Sequence, residues 1–127
     1  MPSKDDIPKF IQASFPSVWA LELLCFLRHK AGRDQSRAEM VAGLRGSELV
    51  ITQSVESLVR AGLVAAEADG AARYAPANDR LAGLAAEAES LYARSPDAVR
   101  RLIVSATTPG LTAFVDAFRF RKDDGDG

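Results

Sequence analysis

In most of this chain the apolar residues recur at helical spacing, but the stretch LVAAEADGAARYAP, residues 63–76, lacks that spacing. Asp-Gly between two short apolar runs is typical of a two-residue hairpin turn, because such turns need positive φ values at both central positions. Pro76 ends the second run. We therefore predict one antiparallel hairpin over residues 63–75, turning at Asp69-Gly70, and helices for every other regular element.

Helix-start signals precede the other apolar segments. Short polar side chains suit N-caps, a glutamate three residues later completes a capping box, and a proline suits the first helical position. The residues that carry these signals are Ser17, Ser36 with Glu39, Ser47, Asn78, and the Ser95-Pro96 and Thr108-Pro109 steps. A shorter lead-in helix is predicted before Pro16. The helix after Ser47 is expected to bury Ile51, Val55, Leu58 and Val59 on one face.

Length and composition indicate one globular domain. The chain has 127 residues, 47% of them hydrophobic and 26% charged. We predict a core at about 17–76, a helical extension at about 78–121 and a solvated tail at 123–127. One cysteine excludes an internal disulfide, so a reducing cytoplasm is expected. The longest apolar run, 18–27, contains Glu22 and is too short for a bilayer, so no membrane partner is expected.

The order of elements is helix, helix, turn, helix and hairpin. Residues 36–76 resemble the winged-helix regulators of the MarR and ArsR type: SRAEMVAGLRGS is similar to their first helix and turn, LVRAGLV to the end of their reading helix, and DGAARYAP to their wing. The resemblance implies a mainly α fold with one β-hairpin, a winged helix-turn-helix with additional N- and C-terminal helices. It also implies a bacterial transcriptional regulator that binds double-stranded DNA, and a homodimer formed through the terminal helices.

By this resemblance the helix after Ser47 would face the bases of DNA. Its candidate base contacts are Leu49, Thr52 and Gln53, since a glutamine can pair with adenine and apolar groups can contact thymine methyls. Glu48 and Glu56 lie on the same part of the helix and would oppose the phosphates. The helix that should read DNA therefore starts without a basic residue.

The positive charges lie mainly on either side of this helix. Residues 28–46 hold five bases and two acids, whereas residues 47–93 hold three bases and seven acids. The basic residues of 28–46 could contact phosphates, as the early helices of winged-helix proteins do, or could belong to an ordinary solvated loop. The candidate phosphate contacts are Arg28, Lys30, Arg33, Arg37, Arg45 and Arg73.

A second function is compatible with the same helix. Leu49 and Val50 stand beside acids rather than bases, which suits a helix face that docks onto a protein partner. Alternatively, Val50 points inward and Leu49 packs under the wing. The first hypothesis is thus a DNA-binding regulator of modest affinity, and the alternative is a winged-helix interaction module that does not bind DNA.

Catalysis and cofactor binding have little support. Glu22, Cys25 and His29 share one helical face, but two or three ligands on one helix rarely form a metal site unless other segments contribute more. No loop signature for nucleophilic catalysis or phosphate binding accompanies the single histidine. We therefore expect no enzyme activity, no cofactor and no metal.

The C-terminal segment is both apolar and basic. Leu111, Phe114, Val115 and Phe118 recur at the spacing of one helical face. Such a stripe usually packs in the core, and it could also form a dimer contact. The bases Arg119, Arg121 and Lys122 would complement the negative end of a helix dipole.

Overall fold

The computed structural model of the protein describes residues 6–30 and 32–107. Over these residues it contains six helices: α1 (Asp6–Ser14), α2 (Val18–Arg28), α3 (Arg37–Leu44), α4 (Glu48–Arg60), α5 (Asp79–Arg94) and α6 (Pro96–Thr107). The two strands are β1 (Val64–Ala66) and β2 (Ala72–Tyr74). The prediction of a mainly helical chain with one antiparallel hairpin is confirmed. The predicted helix from Pro109 and its apolar stripe lie outside the described residues.

Local capping signals define where the helices begin. The Ser36 hydroxyl accepts a hydrogen bond from the Glu39 amide at 3.0 Å, and the Glu39 carboxylate accepts one from the Ser36 amide at 2.7 Å. This reciprocal pair is the predicted capping box. The pKa of Glu39 is lowered, first because its carboxylate accepts the hydrogen bond from the Ser36 amide and then because of the Ser36 side chain. The predicted N-caps Ser17, Ser47 and Asn78 also accept the expected bonds.

Helix α2 is central to the fold. It packs against α3, α4 and α5 and against β2, and its residues Leu21, Leu23, Leu24 and Leu27 are fully buried. Helix α1 packs on α5 and α6 and meets α2 at a bend of 103°. Of the described helices, none alone is long and apolar enough to cross a membrane, and only the bent pair α1 and α2 together reaches that length and apolarity.

The hairpin differs from the prediction at its turn. β1 and β2 are antiparallel, with Ala65 opposite Arg73, so the strands lie where the sequence predicts them. However, the Glu67 amide donates to the Ala71 carbonyl at 2.8 Å, which leaves a three-residue loop. Only Gly70 in this loop has a positive φ, +95°. The two-residue turn with positive φ at both Asp69 and Gly70 was therefore wrong: a turn followed by a left-handed glycine closes the hairpin.

A short extended segment before α3 adds to the hairpin. Gln35 and Ala72 exchange two backbone hydrogen bonds, at 2.8 and 2.9 Å. This isolated bridge places residue 35 on the free side of β2 and was missed by the prediction that every other regular element is helical. One pair of hydrogen bonds thus joins the start of α3 to the hairpin.

The inner face of α4 is nearly as predicted. Ile51, Val55 and Leu58 are buried, but Val59 is 42% exposed. Ser54 is buried instead. The helical arc of buried positions is centred between Ile51 and Leu58, which leaves Val59 at its solvent edge. The assignment of Val59 to the buried face was therefore wrong.

Candidate interaction surface

The outer face of α4 presents one row of side chains to solvent. Leu49, Gln53, Glu56 and Arg60 are all exposed and recur every three or four residues, which places them on one helical face. We call these four residues the outer stripe. Leu49 is 66% exposed, the largest exposure among the described large hydrophobic residues. The interpretation in which Leu49 packs under the wing is therefore wrong.

Arg37 holds the start of α4 against the hairpin loop. Its Nη1 donates to the Thr52 hydroxyl, and its Nε donates to the Gly70 carbonyl at 3.3 Å. The Thr52 hydroxyl in turn donates to the Glu48 carbonyl at 2.8 Å. The guanidinium of Arg37 thus connects α3, α4 and the loop into one surface. Thr52, predicted to contact bases, already makes two hydrogen bonds within the chain.

Two of the six residues predicted to contact phosphates form ion pairs with carboxylates of the protein itself. Arg28 forms an ion pair with Glu89 of α5 and lies over the ring of Tyr74, 5.6 Å from its centroid. Arg73 pairs with Glu67 at 2.8 Å and Asp34 at 3.4 Å. The hydrogen bonds to these two acids raise the pKa of Arg73 above its ordinary value.

The loop that contains Lys30 and Arg33 lies away from the hairpin tip. The ammonium of Lys30 lies 5.0 Å from the ring centroid of Phe26, and Arg33 Nε donates to the Lys30 carbonyl at 3.3 Å. A Cβ added at Gly32 would meet the carbonyl of Tyr74 at the far end of β2 from Gly70. Within the described residues, this basic loop and Arg37 therefore lie towards opposite ends of β2.

The turn between α3 and α4 carries the sixth predicted contact, Arg45. It is exposed and has a φ of +56°, a left-handed conformation uncommon outside glycine. The next residue, Gly46, lies under the ring of Trp19, since an added Cβ would come within 3.1 Å of that ring. Arg45 thus lies beside the first turn of α4, on a turn whose position depends on α2.

A groove runs along one side of the outer stripe. It has a volume of about 440 Å³ and is lined by the turn before α2, the start of α2 and one side of α4, including Trp19, Val50, Gln53 and Ser57. Trp19 is 38% exposed and was not singled out from the sequence, because the apolar residues of α2 surround most of that helix. Val50 is half-buried in this groove. It points neither fully inward nor fully to solvent.

The three residues considered as metal ligands have other partners or are shielded. His29 Nε2 lies 2.7 Å from a carboxylate oxygen of Glu89, and Glu22 accepts a hydrogen bond from the Tyr92 hydroxyl. Burial and the nearby Glu22 carboxylate raise the pKa of Cys25 to about 11. Within residues 6–30 and 32–107, no group of three or more His, Cys, Asp or Glu side chains is placed to hold a metal ion.

Comparisons with known proteins assign no relative. No protein-family model matches the chain, and neither curated proteins nor solved structures give a match.

Proposed function

We propose that residues 17–76 form a winged helix-turn-helix domain with α4 as its exposed helix. Three features support this proposal. The order is helix, bridge residue, helix, turn, helix and hairpin. Gln35 joins β2 on the side that β1 leaves free. Arg37 attaches α4 to the hairpin loop, so that helix and wing present one surface.

We propose further that this surface docks a protein partner. The observation that carries the proposal is Leu49, which is 66% exposed at the start of the helix. Glu48 and Glu56 are exposed beside it, and an acidic surface repels the phosphates of DNA. An exposed aliphatic side chain between acids fits a partner segment that offers an apolar pocket flanked by Lys or Arg. Thus the alternative from the sequence becomes the function that the geometry supports best.

Leu49→Asp tests this docking. Because Leu49 is exposed, the change should move the free energy of unfolding by no more than about 0.5 kcal/mol. It should abolish partner binding, since an unpaired charge in an apolar pocket costs several times that amount. A photo-crosslinking phenylalanine analogue in place of Leu49 should label one discrete protein, and additional Glu48→Lys and Glu56→Lys changes should weaken that labelling.

The matched control places the same analogue at Val104 of α6, which is 58% exposed. It should not label the protein that position 49 labels. Equal labelling from both positions would show nonspecific contact and end the docking proposal. A marked fall in melting temperature on Leu49→Asp would contradict it equally, because Leu49 would then contribute to the core.

DNA binding is the second candidate function, in the form of a dimeric bacterial transcriptional regulator. The observation in its favour is that Gln53 is exposed on the outer stripe of α4, the helix that Arg37 joins to the hairpin loop. Arg33 and Arg45 are also exposed. A glutamine in this position can read adenine in the major groove.

The DNA candidate has its own test. Arg33→Ala with Arg45→Ala should weaken binding to all sequences and flatten its salt dependence, because phosphate contacts release counterions without reading bases. Gln53→Ala should instead change the preferred sequence. Failure of the unmodified protein to bind genomic fragments at low salt would exclude this function, since electrostatic binding is strongest there.

We also propose a cellular location and an oligomeric state for the protein. We place the protein in a reducing cytoplasm because its single cysteine cannot form an internal disulfide. We place a homodimer contact on the terminal helices, where Val104 exposes an aliphatic side chain on α6. Sedimentation equilibrium of the full chain should show a dimer that Val104→Asp dissociates.

A further inference from the structure

A buried serine of α4 has a hydroxyl group without a partner in the chain. Ser54 is only 3% exposed, and it lines the groove of about 440 Å³ beside the outer stripe. Its hydroxyl makes no hydrogen bond to any residue that the structure describes, whereas those of Thr52 and Ser57 donate to carbonyls four residues earlier. Buried hydroxyls are normally hydrogen-bonded, so an acceptor from outside the chain would satisfy Ser54. We call this groove the α4 groove.

The α4 groove carries one cation and one anion. Arg60 and Glu56 both line it from successive turns of α4, and neither forms an ion pair with a residue of the described part of the chain. The groove also lies against the N-cap of α2, Ser17, and the first turn of that helix contains no acidic residue. The N-terminal end of a helix carries a partial positive charge. An anionic group is therefore favoured near Arg60 and Ser54, and a cationic group near Glu56.

The other part of the α4 groove is apolar. Trp19 is 38% exposed there, and Val50 is half-buried beside it. The ring of a tryptophan can cover an aliphatic or aromatic group. Side chains four residues apart on a helix lie about 5–6 Å from each other at Cβ, so the charged and apolar parts are close enough for one small molecule. The volume of the groove is also in the range of small-molecule sites.

We propose that the α4 groove binds a free α-amino acid with an apolar side chain. The carboxylate accepts hydrogen bonds from the Ser54 hydroxyl and the Arg60 guanidinium, the ammonium group faces Glu56, and the side chain lies against Trp19. A ligand with both charges matches the groove better than a simple anion, because Glu56 would repel an anion that offers it no positive group. The proposal does not rest on partner docking, since Leu49 does not line the groove.

Trp19 reports on this site directly, because it is the single tryptophan of the chain. Titration of the full chain with L-phenylalanine or L-leucine should change the Trp19 fluorescence saturably. N-acetyl-L-phenylalanine lacks the ammonium group and phenethylamine lacks the carboxylate, so each should bind about 10-fold more weakly or worse than phenylalanine. No saturable change with either amino acid up to ~10 mM would overturn the proposal. Equal binding of phenylalanine and its N-acetyl derivative would do the same, because the site would then recognise an anion alone.

Variants of the charged and polar residues assign the two ends of the ligand. Ser54→Ala and Arg60→Ala should each weaken phenylalanine binding about 10-fold, since each removes a hydrogen bond to a charged group. Glu56→Gln should weaken phenylalanine binding but not that of N-acetyl-L-phenylalanine. The matched controls are Ser90→Ala and Arg94→Ala, which change exposed residues of α5 and should leave binding unchanged. Equal effects of the groove variants and the controls would contradict the proposed site.

The melting temperature separates a ligand contact from a structural role of Ser54. Ser54→Ala should keep or raise the melting temperature of the free protein, because the hydroxyl has no partner among the described residues and alanine favours a helix. A marked fall would show that the hydroxyl supports the fold instead, and would overturn its assignment to a ligand. Leu49→Asp should leave phenylalanine binding unchanged, so the ligand site and the docking surface can fail independently.

Discussion

At the scale of single residues, Cys25 shows how burial controls reactivity. It is half-buried on α2, and its pKa is raised to about 11, first by loss of solvent around the thiol and then by the Glu22 carboxylate. Arg28 acts in the opposite direction but does not offset these effects. Because the thiolate is the reactive form, the native thiol should be unreactive near neutral pH.

We expect alkylation of Cys25 at pH 8 to be about 100-fold slower in the native protein than in the same protein unfolded in urea. The rate should rise with pH up to about 11, since deprotonation controls it. Iodoacetamide labelling followed by mass measurement provides the rates. Rapid labelling of the native protein at pH 8 would show that the thiol is neither shielded nor affected by Glu22.

At the scale of secondary structure elements, a glycine determines how closely α3 approaches α2. A Cβ at Gly43 would overlap the ring of Phe26, which is half-buried between the two helices. Glycine normally lowers helix stability by about 1 kcal/mol relative to alanine. Its presence within α3 is therefore explained by the space that the Phe26 ring occupies.

Gly43→Ala should lower the free energy of unfolding by about 1–2 kcal/mol, although helix propensity alone would raise it. Ala42→Gly is the control, because Ala42 is exposed on the same helix and should report propensity without packing. Phe26→Leu added to Gly43→Ala should recover part of the loss. Urea unfolding measures all three, and stabilisation by Gly43→Ala alone would disprove the steric explanation.

At the scale of the whole molecule, Glu89 joins the hairpin side of the fold to the terminal helices. From α5 it binds Arg28 of α2 through one carboxylate oxygen and His29 through the other. The side chains of Arg28 and Glu89 are only 27% and 21% exposed, and Arg28 Nε is buried without a partner among the described residues. The guanidinium therefore depends on Glu89 for its neutralisation.

Glu89→Ala should destabilise the protein by about 1–2 kcal/mol, because it leaves a largely buried cation with no carboxylate. Glu87→Ala removes an exposed acid from the same helix and should change stability by less than about 0.5 kcal/mol. Urea denaturation of both variants gives the comparison. Equal effects would mean that the link between α2 and α5 contributes nothing to stability.

The features predicted correctly from the sequence are mainly local. The capping box joins Ser36 to Glu39, three positions later, and the hairpin lies around Asp69-Gly70 as its apolar flanks indicate. Such signals depend on hydrogen bonds between near neighbours and on the φ values that a residue tolerates. The hairpin turn itself was wrong because Asp-Gly also suits a three-residue loop, and the strand pairing selects between the two.

The candidate surface was predicted only in part. Leu49, Gln53 and Glu56 were identified together from the resemblance to winged-helix regulators, and all three are exposed on one face of α4. The partners of Arg28 and Arg73 were not, because Glu89 is 61 residues from Arg28 and Asp34 is 39 from Arg73. A charge pattern along the chain does not indicate which cations are already paired.

The sequence alone determined the helix starts and the position of the hairpin, since each depends on residues within a few positions of one another. The tertiary structure decided the rest. It placed Arg37 between Thr52 and Gly70, paired Arg28 with Glu89, and left the side chain of Leu49 exposed to solvent. These outcomes depend on how distant segments cross in space, because burial and pairing depend on neighbours brought together by folding.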